Sequence, residues 1–275
     1  MNYVKLSALG GLICLLLVSC NGYEKLLNSN DYAAKYEAAM RYYNDNSYSR
    51  AIQLFENLTL HYRGRENAEE VAWCYANALY KERDWFTAGY RFRQFATQYP
   101  YSEHAEEALY MSAYCKYLDS PAYSLDQRAT REAIADLEMF AERWPRSVHI
   151  PDVNRYLDEL RGKLMKKDYE IAYGYYFIEE YHAAYESFRS FLNLYPDSEM
   201  CEEAMFYQLD AGFRYAMGSR EERQKERLQL VLNDFEKFST KFSQSKHLAT
   251  AQNIYAKARA RLTDLESGTA ASKPL

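Results

Sequence analysis

The stretch AYESFRSFLNLYPDS, at residues 184–198, contains most of what decides the fold. Apolar residues recur in it at intervals of four, three and four, namely Ala184, Phe188, Phe191 and Tyr195. This spacing follows one face of an α-helix. The proline after the last aromatic residue disfavours helix there, and the serine two positions later can accept a backbone N–H at the next helix start. The stretch therefore predicts a helix with one apolar face, the end of that helix and the start of the next one.

The same pattern occurs four more times along the chain. AGYRFRQFATQYPYS (88–102) and AIADLEMFAERWPRS (133–147) repeat the spacing and the aromatic-Pro-x-Ser ending, whereas 51–62 and 231–242 keep the spacing and lack the proline. Between the copies lies a second helical run rich in Ala and Tyr, so each unit is a helix pair. The shortest step between copies, 37 residues, approaches the 34-residue tetratricopeptide period. We therefore expect an all-α, tetratricopeptide-like α-solenoid of about five helix pairs.

The longer steps require insertions, and the sequence indicates where they lie. One is the polar segment 119–128, another is a long first helix from about Pro151 to Phe177, and the third is a charged connection at 218–226. The last apolar run, 249–262, is expected to form a terminal helix. The predicted regions are a solenoid at 31–266, divided into N-terminal repeats (31–148) and C-terminal repeats (149–266), and a disordered tail at 267–275.

The N-terminal segment is typical of a targeting signal. A positive charge at Lys5 precedes 13 uncharged, mostly apolar residues, which are too few to span a bilayer comfortably. The segment ends in LVSC at 17–20, which resembles the bacterial lipobox and implies lipid attachment to Cys20. The sequence thus predicts a signal peptide at 1–19 and a lipidated linker at 20–30. An ordinary secretory signal is the alternative.

Composition and charge exclude several classes of protein. Aromatic residues make up 16% of the chain, which is too many for a disordered protein. A net charge of −5 gives the chain no electrostatic attraction to nucleic acid, so we expect no nucleic-acid partner. Cys74, Cys115 and Cys201 remain after the signal; three cysteines cannot all pair within one chain, and we expect small buried thiols.

No constellation of residues indicates catalysis, a cofactor or a metal. The five histidines form no HExxH motif and no i, i+3 or i, i+4 pair, and no CxxC or phosphate-binding Gly-rich motif occurs. His104, beside two glutamates, is interpreted as part of a solvated helix face. The tyrosines at 173, 175 and 176 could stack on a sugar, although packing between repeats is the favoured interpretation. We therefore expect no catalytic residues, no metal, no cofactor and no enzymatic activity.

Taken together, the lipobox and the helix pairs resemble the BamD (YfiO/ComL) family of lipoproteins of the outer-membrane β-barrel assembly machinery. The resemblance extends from Cys20 to about Leu262. The segments that carry it most specifically are Tyr23 to Leu26 with Ala51 to Phe55 and Tyr62, Ala108 to Met111 with Asp126-Gln127, and Tyr181 to Ser198. The first repeat departs from the pattern, because Tyr62 is followed by Arg63-Gly64 instead of a proline.

The resemblance implies a lipid-anchored scaffold on the periplasmic face of the outer membrane. Its C-terminal repeats would dock on periplasmic domains of the barrel-forming assembly protein, together with other assembly-complex lipoproteins. Its N-terminal repeats would receive unfolded outer-membrane protein precursors in an aromatic groove, for which Tyr36, Tyr43 and Tyr75 are the candidates; the alternative is that they form inter-helix core. Two other functions stay open: an adaptor of envelope division or constriction, which usually has a coiled coil and no lipobox, and a solute-binding lipoprotein, which is usually larger.

Overall fold

The computed structural model describes the backbone of residues 22–271 and the side chains of residues 22–267. The predicted signal peptide at 1–19, the predicted lipid-bearing Cys20 and residues 272–275 of the predicted tail lie outside the described residues.

The described part of the chain contains α-helices joined by turns and no strand. A short helical stretch at 22–27 precedes eleven helices, which are α1 (Tyr32–Asn44), α2 (Tyr48–His61), α3 (Ala68–Lys81), α4 (Trp85–Gln98), α5 (Ala105–Asp119), α6 (Arg128–Arg143), α7 (Ile150–Phe177), α8 (Tyr181–Leu194), α9 (Cys201–Met217), α10 (Glu221–Lys241) and α11 (Leu248–Ala271). From α1 to α6, and again from α8 to α11, each helix packs on the next one along the chain. The prediction of an all-α, tetratricopeptide-like arrangement of five helix pairs is confirmed. We call α1, α3, α5, α7 and α9 the first helices, and their partners the second helices.

The chain divides into two compact units. Unit 1 comprises 22–121 and 125–160, and unit 2 comprises 122–124 and 161–271. The division falls inside α7, whereas the boundary predicted from the sequence between N- and C-terminal repeats is 148/149. Unit 1 has one continuous apolar core, and unit 2 has two clusters, one around Phe188 and one around Phe238.

The repeated 4-3-4 pattern forms these cores as the sequence predicts. In the first four copies the first three positions are at most 1% exposed, as in Ala88, Phe92 and Phe95. The closing aromatic residue of every copy is the C-cap of its helix, as Tyr99 is for α4 and Trp144 for α6. The pattern therefore fixes both the buried face of each second helix and the residue at which the helix ends.

The turns after these helices share one hydrogen-bonding scheme. In the turn after α4, the N–H of Ser102 donates to the carbonyl oxygen of Tyr99 at 3.1 Å, and the Ser102 Oγ accepts from the N–H of His104 at 3.0 Å. Ser147, Ser198 and Ser245 make the same pair of bonds. Each serine thus supports the start of the next helix, although it lies two residues before the N-cap position.

Three segments differ from the sequence expectations. Within the predicted linker, 22–27 is helical because Tyr23 and Leu26 pack on the unit 1 core, and the Tyr23 hydroxyl donates to the Arg50 carbonyl oxygen at 2.9 Å. The charged segment expected to be a connection already belongs to α10 from Glu221 onward. Helix α11 continues to Ala271, so the backbone at 267–271 is helical, where the sequence analysis expects the disordered tail to have begun.

Candidate functional site

Two grooves on unit 1 lie between successive second helices, and each has a first helix as its floor. The first groove lies between α2 and α4 over α3. Its lining includes Thr59, Leu60 and Arg63 at and after the end of α2, Ala72 and Tyr75 of α3, and Arg91, Gln94, Phe95 and Gln98 of α4. The groove therefore combines an apolar floor with basic and amide side chains along its walls.

The second groove lies between α4 and α6 over α5 and is more apolar. Trp85, Phe86 and Tyr90 of α4 line one side of it. Phe86 is 78% exposed and Tyr90 is 62% exposed, so both rings are open to solvent at the groove. Large exposed aromatic residues at one place are typical of an interaction surface.

The charges near the second groove neutralise one another. Asp136 Oδ2 lies 2.5 Å from Arg93 Nη2 and 2.8 Å from Lys116 Nζ, which is also near Glu132. Since Arg93 and Lys116 both have carboxylate partners, the exposed rings of Phe86 and Tyr90 are the main groups that a binding partner can contact at this groove.

Of the three tyrosines predicted for a groove, Tyr75 lies at the first groove and is almost entirely buried. Its side chain is 4% exposed, and its ring packs 6.4 Å from the Phe55 ring centroid. The Arg91 guanidinium lies over the Tyr75 ring, 4.9 Å from its centroid. Burial raises the pKa of Tyr75, while Arg91 acts in the opposite direction. Tyr75 thus serves mainly as a buried ring on which the Arg91 guanidinium packs.

The other two predicted tyrosines lie on α1 and pack on the same core. The Tyr43 ring contacts Phe55 at 6.2 Å, and burial raises the pKa of Tyr43 to about 12. The Tyr36 hydroxyl donates to Glu70 Oε2 at 2.5 Å, and burial together with this bond raises the pKa of Tyr36. The structure therefore brings Tyr43 and Tyr75 to one phenylalanine and places Tyr36 in a separate contact between α1 and α3.

The Tyr36–Glu70 contact belongs to a series between neighbouring first helices. In unit 2, the Tyr169 hydroxyl donates to Glu203, and the Tyr176 hydroxyl donates to Asp210. In all three pairs the partners are 34 residues apart, which is the tetratricopeptide period. These tyrosines use their hydroxyl groups to align adjacent repeats. Tyr176 and its neighbour at 173 also pack on the Tyr207 ring, which fits packing between repeats.

Sequence reasoning missed a second repeated aromatic contact. His104, interpreted above as part of a solvated face, is the N-cap residue of α5, and its ring stacks on Trp73 with centroids 4.4 Å apart. His149 stacks on Tyr110 at 3.8 Å in the same way. His247 stacks on an aromatic ring of α9 at 4.2 Å. The sequence pattern that marks this contact is Ser-x-His, in which the histidine lies two residues after the serine of the turn.

Unit 2 carries a groove of its own, formed by α8, α9 and α10. Arg189, Asn193, Lys237 and Lys241 lie along it, and Asp234 lies at its base. Asp234 accepts a hydrogen bond from the Tyr185 hydroxyl at 3.0 Å, and burial raises the pKa of its carboxyl group. The groove is polar and charged, in contrast to the second groove of unit 1.

The described residues show neither a metal-binding cluster nor a membrane-spanning helix. Over the part of the chain that the structure describes, His, Cys, Asp and Glu side chains form no group of three that could hold a metal ion. In that same part, none of the helices combines the length and the apolarity that crossing a bilayer requires.

Comparison with known proteins identifies a family and relatives of this chain. The family model of YfiO, described as an outer membrane lipoprotein, matches residues 28–211 and 166–272. The outer membrane protein assembly factor BamD of Vibrio cholerae is 24% identical over 238 residues, which cover 82% of this chain and 99% of the relative. BamD of Caulobacter vibrioides is 25% identical over 118 residues, or 43% of this chain and 39% of the relative. Since the family model spans both units, the chain belongs to the YfiO family of outer membrane lipoproteins.

Proposed function

We propose that the chain is a non-catalytic scaffold of outer-membrane β-barrel protein assembly, anchored by a lipid on Cys20 to the periplasmic face of the outer membrane. The observation that carries the proposal is the family match across both units. The relative from Vibrio cholerae, whose name is that of an assembly factor, aligns over nearly its whole length. The lipobox at 17–20 supports the same location.

We assign the capture of unfolded barrel precursors to unit 1. The strands of membrane β-barrels alternate apolar and polar side chains, so an extended precursor can place every second side chain against an apolar surface. Phe86 and Tyr90 offer such a surface at the second groove, because both rings are exposed. Tyr36, Tyr43 and Tyr75, the candidates from the sequence, do not line this second groove and pack within the repeats, Tyr75 at the first groove.

We assign docking on the barrel-forming assembly protein, and on other lipoproteins of the complex, to the C-terminal repeats in unit 2. The charged groove between α8 and α10 supports this assignment. Arg189 and Lys237 there have carboxylate neighbours, whereas Lys241 forms no ion pair among the described residues and can pair with an acidic group of a folded partner.

Site-specific crosslinking tests the precursor site. A photo-reactive phenylalanine analogue at Tyr90 is expected to crosslink to an unfolded barrel precursor, because Tyr90 lines the second groove. The matched control is the same analogue at Tyr101, which is fully exposed, lies in the turn after α4 and does not line the second groove. Equal crosslinking at the two positions would contradict the assignment.

Purification of the tagged, full-length protein in mild detergent tests the complex. Recovery of a large barrel protein with periplasmic domains is expected. If a division protein is recovered in its place, the chain is an envelope adaptor, and if the purified protein binds glycans without any barrel protein, it is a solute-binding lipoprotein. Either result would overturn the proposed function.

A further inference from the structure

The last two turns of α7 carry an apolar face that is open to solvent. Ile171, Tyr175 and Ile178 are 45%, 39% and 62% exposed, and their intervals of four and three place them on one side of the helix and its C-terminal end. Gly174 lies on the same side, and among the described residues no atom of another helix lies within 4 Å of its Cβ position. Phe177, 76% exposed, extends the surface where α7 ends. We call these five residues the α7 face.

In unit 1, other helices cover the corresponding side of a first helix. The turn after α7 matches the turn after α3, because Glu179 and Arg83 have the same positive φ of 64° and donate to the carbonyl oxygen three residues earlier. Counted back from these turns, the α3 residues that match positions 171, 174 and 175 are Tyr75, Ala78 and Leu79. They are at most 4% exposed, since α2 and α4 pack on α3. The α7 face is therefore of the kind that becomes buried against another helix.

The length of α7 explains why this face is left open. Val153, Leu157 and Leu160 of the same helix belong to the unit 1 core, and positions 164, 167, 171, 175 and 178 continue their intervals of three and four. Helix α7 has 28 residues, whereas α6 has 16 and α8 has 14. A helix of ordinary length covers only part of such a stripe, so the end of the stripe needs a further partner to become buried.

Charges of opposite sign lie at the two ends of the α7 face. Lys167 lies one turn before it, and the exposed Glu179 and Glu180 follow it. The Lys167 ammonium donates to two carbonyl oxygens of the segment 122–124 at 3.2 and 3.4 Å, which fixes its position and leaves its charge in place. A second α7 running antiparallel about an axis near residue 173 brings its Glu179 beside Lys167, because this axis lies midway between the two positions. The face is thus complementary in charge to its own copy.

We propose that the α7 face is the interface of a homodimer, in which the α7 helices of two copies pack antiparallel about a two-fold axis near Gly174. The missing side chain at Gly174 lets the two helices approach closely. Ile171, Tyr175 and Ile178 of each copy then leave water together. A face of five residues is small beside interfaces of about 1,200–2,000 Å², and a lipid anchor that confines both copies to one membrane surface raises their effective concentration.

Disulfide crosslinking tests the axis in full-length protein in its native membrane. Gly174→Cys should give a disulfide-linked homodimer on mild oxidation, because a residue at a two-fold axis lies beside its own copy. Gly162→Cys is the matched control. It is also a glycine of α7 with open space at its Cβ position, and it lies about two and a half turns before Ile171, on the opposite side of the helix. The native cysteines at 74, 115 and 201 are buried in both variants.

Variants taken from the matching turn of unit 1 test the contacts. The double variant Phe177→Lys/Ile178→Glu carries the residues that stand at 81 and 82, so the turn should form and the unfolding midpoint should be kept. Sedimentation equilibrium of the detergent-solubilised protein should show a dimer dissociation constant raised about tenfold or more. Glu179→Arg, which introduces the residue at the equivalent position 83, should also weaken the dimer. The reciprocal Arg83→Glu lies outside the α7 face and should leave it unchanged.

Three outcomes would overturn the inference: equal yields of linked dimer from Gly174→Cys and Gly162→Cys, the same sedimentation for the parent and the double variant, or linkage of Gly174→Cys to a different protein and never to itself. The last outcome would assign the α7 face to that other protein. The inference goes beyond the proposed function, since crosslinking at Tyr90 and recovery of a barrel protein can succeed in every one of these cases.

Discussion

Replacement of Gly212 by alanine should destabilise unit 2, although the same replacement in a helix interior normally stabilises. Gly212 lies in α9, and a Cβ atom there would lie 3.0 Å from both Cδ2 and Cε2 of Tyr185. The Tyr185 ring cannot move away easily, because it is 6% exposed and its hydroxyl is bonded to Asp234. Val231 Cγ2, 3.5 Å from the same point, narrows the space further.

The magnitude follows from two opposing contributions. Alanine favours a helix interior over glycine by about 0.5–1 kcal/mol. Overpacking of a filled core costs about 1–3 kcal/mol. We therefore expect Gly212→Ala to lower the free energy of unfolding by up to about 2.5 kcal/mol, which is the difference of these two contributions.

Gly162→Ala in α7 is the matched control, because it belongs to the same unit and nothing lies within 4 Å of its Cβ position. It should stabilise by about 0.5–1 kcal/mol. Urea unfolding followed by circular dichroism should move the midpoint up for Gly162→Ala and down for Gly212→Ala. In a Tyr185→Val background the cost at Gly212 should largely disappear. If both glycine variants raise the unfolding midpoint, the contact with Tyr185 does not constrain the helix spacing, and the reasoning is refuted.

Four further predictions concern the lipid anchor, the core of unit 1, the second groove and the buried Asp234. Cys20→Ala should leave an unprocessed protein that no longer fractionates with the outer membrane, as membrane separation and immunoblotting would show. Phe92→Ala empties a fully buried position and should cost about 3–5 kcal/mol in urea unfolding, whereas Phe86→Ala should change stability by less than about 0.5 kcal/mol and reduce crosslinking from position 90. Burial raises the pKa of Asp234 above 3.8, so the folded state keeps this proton longer than the unfolded state, and stability falls as the pH rises from there. Asp234→Asn should therefore gain stability relative to the parent as the pH increases through this window, and an unchanged difference between pH 4 and pH 7 would contradict it.

The sequence predicts the repeated architecture well, because one face of each second helix must be apolar at fixed intervals. The first three stripe residues of the first four copies are buried, the aromatic-Pro-x-Ser turns end the helices, and the predicted long helix ending at Phe177 is observed from Ile150. The three cysteines at 74, 115 and 201 are buried and free, as predicted. The pairs Glu69-Glu70, Glu106-Glu107 and Glu202-Glu203 all lie in first turns of helices, where the helix dipole favours them.

The candidate site was harder to predict, because an aromatic residue in a repeat protein can serve packing or binding with the same spacing. Tyr75 has the helical position of a groove residue and yet is 4% exposed, since α2 and α4 both pack over it. Phe86 follows Trp85 at the start of α4, outside the 4-3-4 stripe, and this departure was the available signal for exposure. The pairing of Arg93 with Asp136 depends on which side of α4 faces α6, which spacing alone does not specify.

The free thiols have a consequence for the life of the protein in an oxidising compartment. Disulfides form readily in the periplasm, yet Cys74, Cys115 and Cys201 are each at most 6% exposed, and burial raises the pKa of the first two to about 12. Their chemical protection therefore lasts only while the repeats stay closed. Two of these sulfurs report on unit 1 and one on unit 2, so the rate at which an alkylating reagent labels each would time the opening of each unit in the native protein.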